Sequence, residues 1–338
     1  MKRFLLRGSL FSIPLFIVFL AIYIIDPYYL FTNKSKYDET KYDIGYSFDQ
    51  GRRYKIFTYW NEPTDKIILG ASEINLINEH NIPERGWHSL SYGGAPLQES
   101  LRMYWEVSKA HHLSKVIIAP EFIKYFNAIS SGNGDPYYAN FSWNTSQSKK
   151  AFDIYNNKLD YFIDKYTLKS TWSYLSSQFS KIGVHSVPNS TKEAFWKSQM
   201  DYAHEIYEGN TVFEDKKTEI IDLFRDIKQD ADQNKTEILI ILPIQHIDLL
   251  KTEFQPMVFT IYKEYIKSLA EIFGEVYYFA YTPGYSEDYT KFSDPFHYLS
   301  ADLYLDNIFN WDECSFILTP NTVEEKLDSI KNILHPNE

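Results

Sequence analysis

Four short apolar runs punctuate the chain, each separated from the next by stretches of helical length. Ile67-Ile68-Leu69 follows Asp65-Lys66 and breaks at Gly70, and Lys115–Pro120 (KVIIAP) ends in a proline. Glu237–Leu242 (EILIIL) stops before Pro243, and Glu275–Ala280 (EVYYFA) is the fourth. Short apolar runs bounded by turn residues read as buried strands. Glu99–Ala110, Lys149–Phe179, Lys192–Tyr207, Phe213–Asp230 and Phe254–Phe273 carry helical texture. Alternation of strands and helices predicts an α/β fold with a parallel sheet. The expected architecture is flavodoxin-like, with helices on both faces of the sheet. Residues 130–148 read as a Gly-, Ser- and Asn-rich loop. The segment from about 130 to 233, between the second and third runs, is expected to form an inserted helical cap.

A fifth apolar run is of another kind. Gly8–Ile25 carries no charge, Lys2, Arg3 and Arg7 precede it, and Asp26 follows at once. As a helix it nearly spans a ~30 Å hydrocarbon core. The expectation is a single transmembrane helix anchoring residues 1–29 through residues 8–25, with Tyr23, Tyr28 and Tyr29 at an interfacial belt. The basic flank predicts a cytoplasmic N-terminus in the plasma membrane and an extracellular or periplasmic main domain. A cleaved signal peptide is the alternative, although no small-x-small site follows the run. A buried core helix is the third reading and suits an extreme N-terminal run with basic flanks poorly. Residues 30–60 read as a polar, Tyr-rich tether leading into one domain over 61–338.

Composition narrows the classes of function. With 34 Lys and Arg against 45 Asp and Glu, the net charge is −11. That balance argues against a nucleic-acid partner, which calls for a basic field. The single cysteine, Cys314, rules out an intrachain disulfide and a cysteine-based zinc site. Aromatic residues make up 17%, which fits carbohydrate-stacking surfaces and, equally, a bias toward Tyr, Phe, Ile, Asn and Lys. His111-His112 and His246 raise a metal site, but no ligand stands at helical i+3 or i+4 spacing from His111. No metal is expected. Neither a Walker-type Gly-Lys-Ser/Thr nor a Gly-x-Gly-x-x-Gly occurs, so no cofactor is expected.

Ligands of doubly wound folds bind beyond the carboxyl ends of the strands. Three stretches of the chain at or near such ends carry suggestive chemistry. Gly70-Ala71-Ser72 places a serine on a tight turn after the first strand, where its hydroxyl is exposed and its N–H faces the site. The plain structural role of such a serine is a helix N-cap. Gly93-Gly94, within Leu90–Pro96, offers backbone N–H groups to an oxyanion, or simply a turn. Asp294 and His297 flank Pro295-Phe296, a spacing that lets a carboxylate fix an imidazole tautomer. Their ordinary roles are a helix cap and a surface histidine.

In this order, Ser72, Gly93 or Gly94, and the Asp294-x-x-His297 pair resemble the SGNH (GDSL-like) hydrolase superfamily. The likeness is to its membrane-anchored members, such as the lipoteichoic acid D-alanylation and alginate O-acetylation proteins, and covers roughly residues 60 to 310. It implies Ser72 as nucleophile, His297 as general base and Asp294 as its orienter. The oxyanion hole would come from Ser72, from Gly93 or Gly94, and from an asparagine after the family's third strand, which corresponds to Lys115–Pro120 here, for which Asn127 is the weak substitute. Two departures stand out: the family's Gly-Asp-Ser is Gly-Ala-Ser here, and Glu121-Phe122-Ile123 follows the strand where Gly-x-Asn-Asp is expected. The resemblance implies a serine esterase or O-acyltransferase. Its partners would be a cell-surface glycan or an acyl donor, and a membrane-bound acyltransferase. The other class it admits is a non-catalytic accessory or scaffold protein of a polymer acylation or export complex.

Overall fold

The computed structural model describes residues 2–28, 31, 55–56, 58–59, 62–77, 82–130, 162, 165–179, 191–208, 211–308 and 317–336. The chain divides into two compact units, Met1–Pro63 with Pro136–Pro188, and Thr64–Asp135 with Asn189–Glu338.

The second unit is an α/β domain built on a six-stranded sheet. In chain order its strands are β1 (Lys66–Leu69), β2 (Trp87–Ser89), β3 (Lys115–Ile118), β4 (Glu237–Leu242), β5 (Val276–Tyr278) and, past a hairpin, β8 (Ile317–Leu318). They lie in the order β2-β1-β3-β4-β5-β8. The first five are mutually parallel, and β8 pairs antiparallel with β5. The hairpin is formed by β6 (Phe292–Asp294) and β7 (His297–Tyr298). The four apolar runs are thus β1, β3, β4 and β5, whereas β2, β8 and the hairpin go beyond the sequence reading.

Strand alternation decides which residues face which layer. Ile68 stands beside Ile117, Ile117 beside Leu239, and Ile241 beside Tyr277. These residues share one buried cluster with Trp196, Phe292, Leu303 and Tyr304. That face is covered by α5 (Lys192–Tyr207), α9 (Asp302–Ile308) and the hairpin. The opposite face packs against α2 (Leu97–Ala110), α6 (Glu214–Asn234) and α8 (Pro256–Phe273), with α10 (Val323–Leu334) beside α8. There the Tyr262 hydroxyl donates to that of Tyr278, at 2.9 Å, and Tyr104 donates to Asp230. The connections β2→β3, β3→β4 and β4→β5 all step the same way across the sheet. Right-handed crossovers therefore place their helices on one face.

Part of the expected helical cap has another role. Helix α6 buries Ile220, Phe224, Ile227 and Ala231, a single stripe at helical spacing, against β4, α2 and α8. It is the crossover layer between β3 and β4. Helix α5 packs instead on the hairpin, α3 (Phe122–Ser130) and α7 (Ile247–Glu253). The loop expected over 130–148 lies outside the described residues beyond Ser130.

The first unit contains α1 (Lys2–Ile25), with Pro14 inside it, and α4 (Lys165–Phe179), which packs against it. The Tyr28 hydroxyl shares a buried 2.8 Å hydrogen bond with Ser170. Ile13, Leu15, Phe16, Ile17, Val18 and Leu20 of α1 are exposed. Among the described residues no helix is long and apolar enough to cross a membrane. Of the tether expected over 30–60, only residues 31, 55–56 and 58–59 are described, and Ile56 and Tyr59 are buried.

Candidate active site

Asp294 ends β6 and His297 begins β7, joined by Pro295-Phe296. The Asp294 carboxylate closes this turn on itself: Oδ1 accepts the backbone N–H groups of Phe296, at 3.0 Å, and His297, at 3.2 Å. Both carboxylate oxygens also meet His297 Nδ1, at 2.7 and 2.8 Å. A carboxylate only accepts, so Nδ1 is the donor and carries a proton. Asp294 is 2% exposed, while the His297 side chain is 33% exposed. One ring nitrogen is thus held in the interior and the imidazole still reaches solvent. The loop after β4 braces the turn, as the His246 N–H donates to Pro295 O at 3.0 Å.

Ser72 lies at the other end of the sequence pattern and at the same edge of the sheet. It begins a 3-10 turn, Ser72–Ile74, that packs against β7, the strand carrying His297. Gly70 makes this turn possible. A Cβ there would stand 2.7 Å from Ile74 Cγ2 and 3.0 and 3.2 Å from Ala119 Cβ and O. The residue before the turn is Ala71, and no side chain caps the turn, so the serine does not serve as an N-cap. Among the described residues Ser72 Oγ has no hydrogen-bond partner, His297 included.

The second strand is drawn in by side chains. Ser91 donates to Asn75 Oδ1 at 2.7 Å, tying the segment after β2 to the residue that ends the Ser72 turn. Tyr92–Ala95 closes a β-turn by an Ala95 N–H to Tyr92 O bond. Gly94 occupies its third position at φ 68°, the left-handed region that favours glycine. Gly93 is buried and Gly94 exposed. Asn127 sits well inside α3, and no hydrogen bond brings it to Ser72, Asp294 or His297.

The structure adds residues that the sequence reading did not single out. Glu73, next to Ser72, and Glu121, just beyond β3, are both buried and lie beside each other. Burial and the facing Glu121 push Glu73 well above the carboxylate range. Burial likewise raises Glu121, against the pull of Lys124 and His297. Glu253 of α7 accepts the Tyr207 hydroxyl at 2.7 Å and Gln245 Nε2 at 3.3 Å. Burial pushes it up to about 8. A glutamate immediately after a strand-ending proline was the available signal for Glu121. His246, raised above as a ligand, is instead packed edge-on against Trp196, ring centroids 4.6 Å apart. Among the described residues no group of three or more His, Cys, Asp or Glu is placed to hold a metal ion.

Beside the hairpin a cavity of about 500 Å³ is lined by Tyr285, Lys291, Tyr298, Asp302 and Asp306, among others. No family model, no curated protein and no solved structure matches this chain.

Proposed function

We propose that the protein is a membrane-anchored serine esterase or O-acyltransferase acting on a cell-surface glycan, with a flavodoxin-like domain of the SGNH type. The Asp294–His297 pair carries this reading, because the Ser72 turn packs on the strand that bears it although more than two hundred residues separate them. Neither capping nor turn formation calls for that meeting.

In the proposed reaction, Ser72 Oγ attacks the acyl carbonyl carbon while its proton passes to His297 Nε2. Asp294 holds the resulting imidazolium. The carbonyl oxygen, now an anion, is met by the N–H groups of Ser72 and Gly93 or Gly94. The tetrahedral centre collapses and the C–O bond to the leaving alkoxide breaks. His297 returns the proton to that oxygen, leaving an acyl-serine. Water or a sugar hydroxyl then repeats the cycle in reverse. The cavity beside the hairpin, with two tyrosines and two aspartates, suits a sugar.

The anchor is proposed from the uncharged run Gly8–Ile25, its basic flank and the exposed apolar side chains of α1. It places the N-terminus in the cytoplasm and the α/β domain outside. Release by detergent and not by high salt is the expected fractionation; a soluble product starting near residue 26 overturns the anchor.

A fluorophosphonate probe tests the chemistry. Detergent-solubilised full chain is expected to be labelled, and Ser72→Ala to abolish labelling with the thermal unfolding midpoint preserved. Absence of labelling in a folded wild type favours the second reading, a non-catalytic accessory of an acylation or export complex. The unbonded Ser72 Oγ and the position of Asn127 are the observations on that side.

A further inference from the structure

A helix on the surface of a water-soluble protein buries its apolar side chains and exposes its polar ones. Helix α4 of the first unit does the reverse. Among its described side chains, the buried ones are Thr167, Ser170 and Thr171, a single stripe at helical spacing, and the helix packs against α1. Leu168 and Trp172, four residues apart and so on one face, are exposed, Trp172 to 72%. Small residues between helices and large apolar ones outside them are the arrangement of helices that contact lipid. Two contacts set the level of α4 along α1. Phe162, just before α4, lies with its ring centroid 5.3 Å from that of Phe19, and Ser170 meets the Tyr28 hydroxyl at 2.8 Å. The partners advance together along both segments, which therefore run side by side in the same direction. Phe19 stands ~9 Å inside the end of α1 at Ile25, and Trp172 stands ~3 Å past the level of Tyr28. Leu168 and Trp172 thus fall where the uncharged run gives way to Asp26. The apolar side chains of α1 stay exposed up to the same boundary, at Tyr23 and Ile24.

Resting on the anchor proposed for α1, we propose that α4 is a second membrane-contacting helix, lying at the outer lipid interface with Leu168 and Trp172 seated in lipid and Lys169 among the phosphates. Its sequence, KYTLKSTWSYLSSQF, is too polar to cross a bilayer, and it needs only to lie along the headgroup boundary. Tryptophan and tyrosine settle at that depth because their rings are apolar and their N–H or O–H is not. Lysine settles there because its stem lies along lipid while its ammonium reaches the phosphates, and Lys169 is exposed. A bilayer fits this face better than a second copy of the chain, since its exposed apolar residues stand at the level where the apolar run of α1 ends. The anchor becomes a two-helix element, with α4 bracing the outer end of α1 through the Tyr28–Ser170 hydrogen bond.

The test places one environment-sensitive fluorophore at a time on the full chain, in vesicles of phosphatidylcholine and phosphatidylglycerol. With Cys314→Ser as background, the label is carried by Trp172→Cys, Leu168→Cys, Phe16→Cys in α1 or Met257→Cys in α8, all at exposed positions. Nitroxide lipids quench either near the headgroups or near the chain ends, and iodide quenches from water. The Trp172→Cys and Leu168→Cys labels are expected to emit to the blue of the Met257→Cys label. They should be shielded from iodide and lose more intensity to the shallow lipid probe than to the deep one. The Phe16→Cys label should lose more to the deep probe, and the Met257→Cys label should respond to iodide alone. Iodide reaching the Trp172→Cys and Leu168→Cys labels while the Phe16→Cys label remains quenched by lipid overturns the inference and leaves the anchor. Shielding of the α4 labels from iodide and from both lipid probes means that protein covers this face, and does the same. Quenching of the α4 labels mainly by the deep probe puts α4 in the hydrocarbon core and overturns its interfacial placement. A Phe16→Cys label that neither lipid probe reaches overturns the anchor and the inference together.

Discussion

Asp294 and Glu121 are buried to the same extent at the same edge of one sheet, yet their surroundings differ in kind. Asp294 receives two backbone N–H groups and an imidazole N–H, which answer its negative charge. Glu121 meets another acid, and burial drives it toward neutrality. The surface offers a third case: Glu84 is held below the carboxylate range chiefly by its hydrogen bond to Lys66. Depth alone therefore does not decide the charge of a carboxyl group here. The donors that the fold delivers decide it.

The sharpest way to break this contrast is to remove the charge from Asp294. Asp294→Asn keeps the shape but reverses the demand on His297, since an amide N–H2 no longer fixes Nδ1 as donor. Fluorophosphonate labelling is expected to fall on the order of 10³–10⁴-fold, and Asp294→Ala to cost about 2–4 kcal/mol of stability besides, because the turn's N–H groups lose their acceptor. Denaturant titration of the two variants separates these effects; equal labelling of Asp294→Asn and wild type would remove the dyad.

Glu253 provides the next effect. Its carboxyl group titrates at about 8 in the fold, so the native state holds a proton that the unfolded chain has released. Its contribution is fully present below the ordinary carboxyl range and is lost as pH climbs toward about 8, by a few kcal/mol in all. Urea unfolding at about pH 5 and about pH 9 should show wild type weakening more steeply than Glu253→Gln, whose remaining fall belongs to Glu73 and Glu121. An unchanged slope in the variant would mean that Glu253 is ionised in the fold.

Gly70→Ala perturbs the close approach under Ser72. Its Cβ meets Ala119 and Ile74 at distances that require the turn to shift. A loss of about 1–3 kcal/mol is expected, with slower labelling, by thermal unfolding and probe kinetics. The smallest effect belongs to the surface: Lys263→Ala breaks a pair with both oxygens of Asp328 at 2.8 Å, yet should cost under about 1 kcal/mol. A larger loss there would erase the distinction between surface and interior carboxyl groups.

The fold was largely legible because β1, β3, β4 and β5 are apolar on both faces, which leaves a continuous run in the sequence. Strand β2 was not, since Trp87-His88-Ser89 buries a histidine and a serine completely. A pattern that reads such residues as exposed passes over it. Helix α6 was found as a helix but not in its layer, because an apolar stripe does not say what it will face. Asp294 and His297 were legible because three residues of separation and a proline fix their geometry locally. Ser72 was legible through the glycine that ends β1. The acids beneath it were hidden for the opposite reason: Glu73, Glu121 and Glu253 come from three distant elements, and only packing brings them together in the interior.

The two-residue strand β8 has a consequence for how the chain tolerates being cut. It runs antiparallel along β5, pairing Leu318 with Val276 and Ile317 with Tyr277. At the opposite border the sheet ends in β2, three residues long. Both borders are thus too short to template a neighbouring chain. A truncation before Ile317 strips β5 of its outer partner and lays open Val276-Tyr277-Tyr278, an apolar strand that is otherwise covered. Such a fragment retains Ser72, Asp294 and His297 but loses its guard against sheet-to-sheet association, and is expected to aggregate.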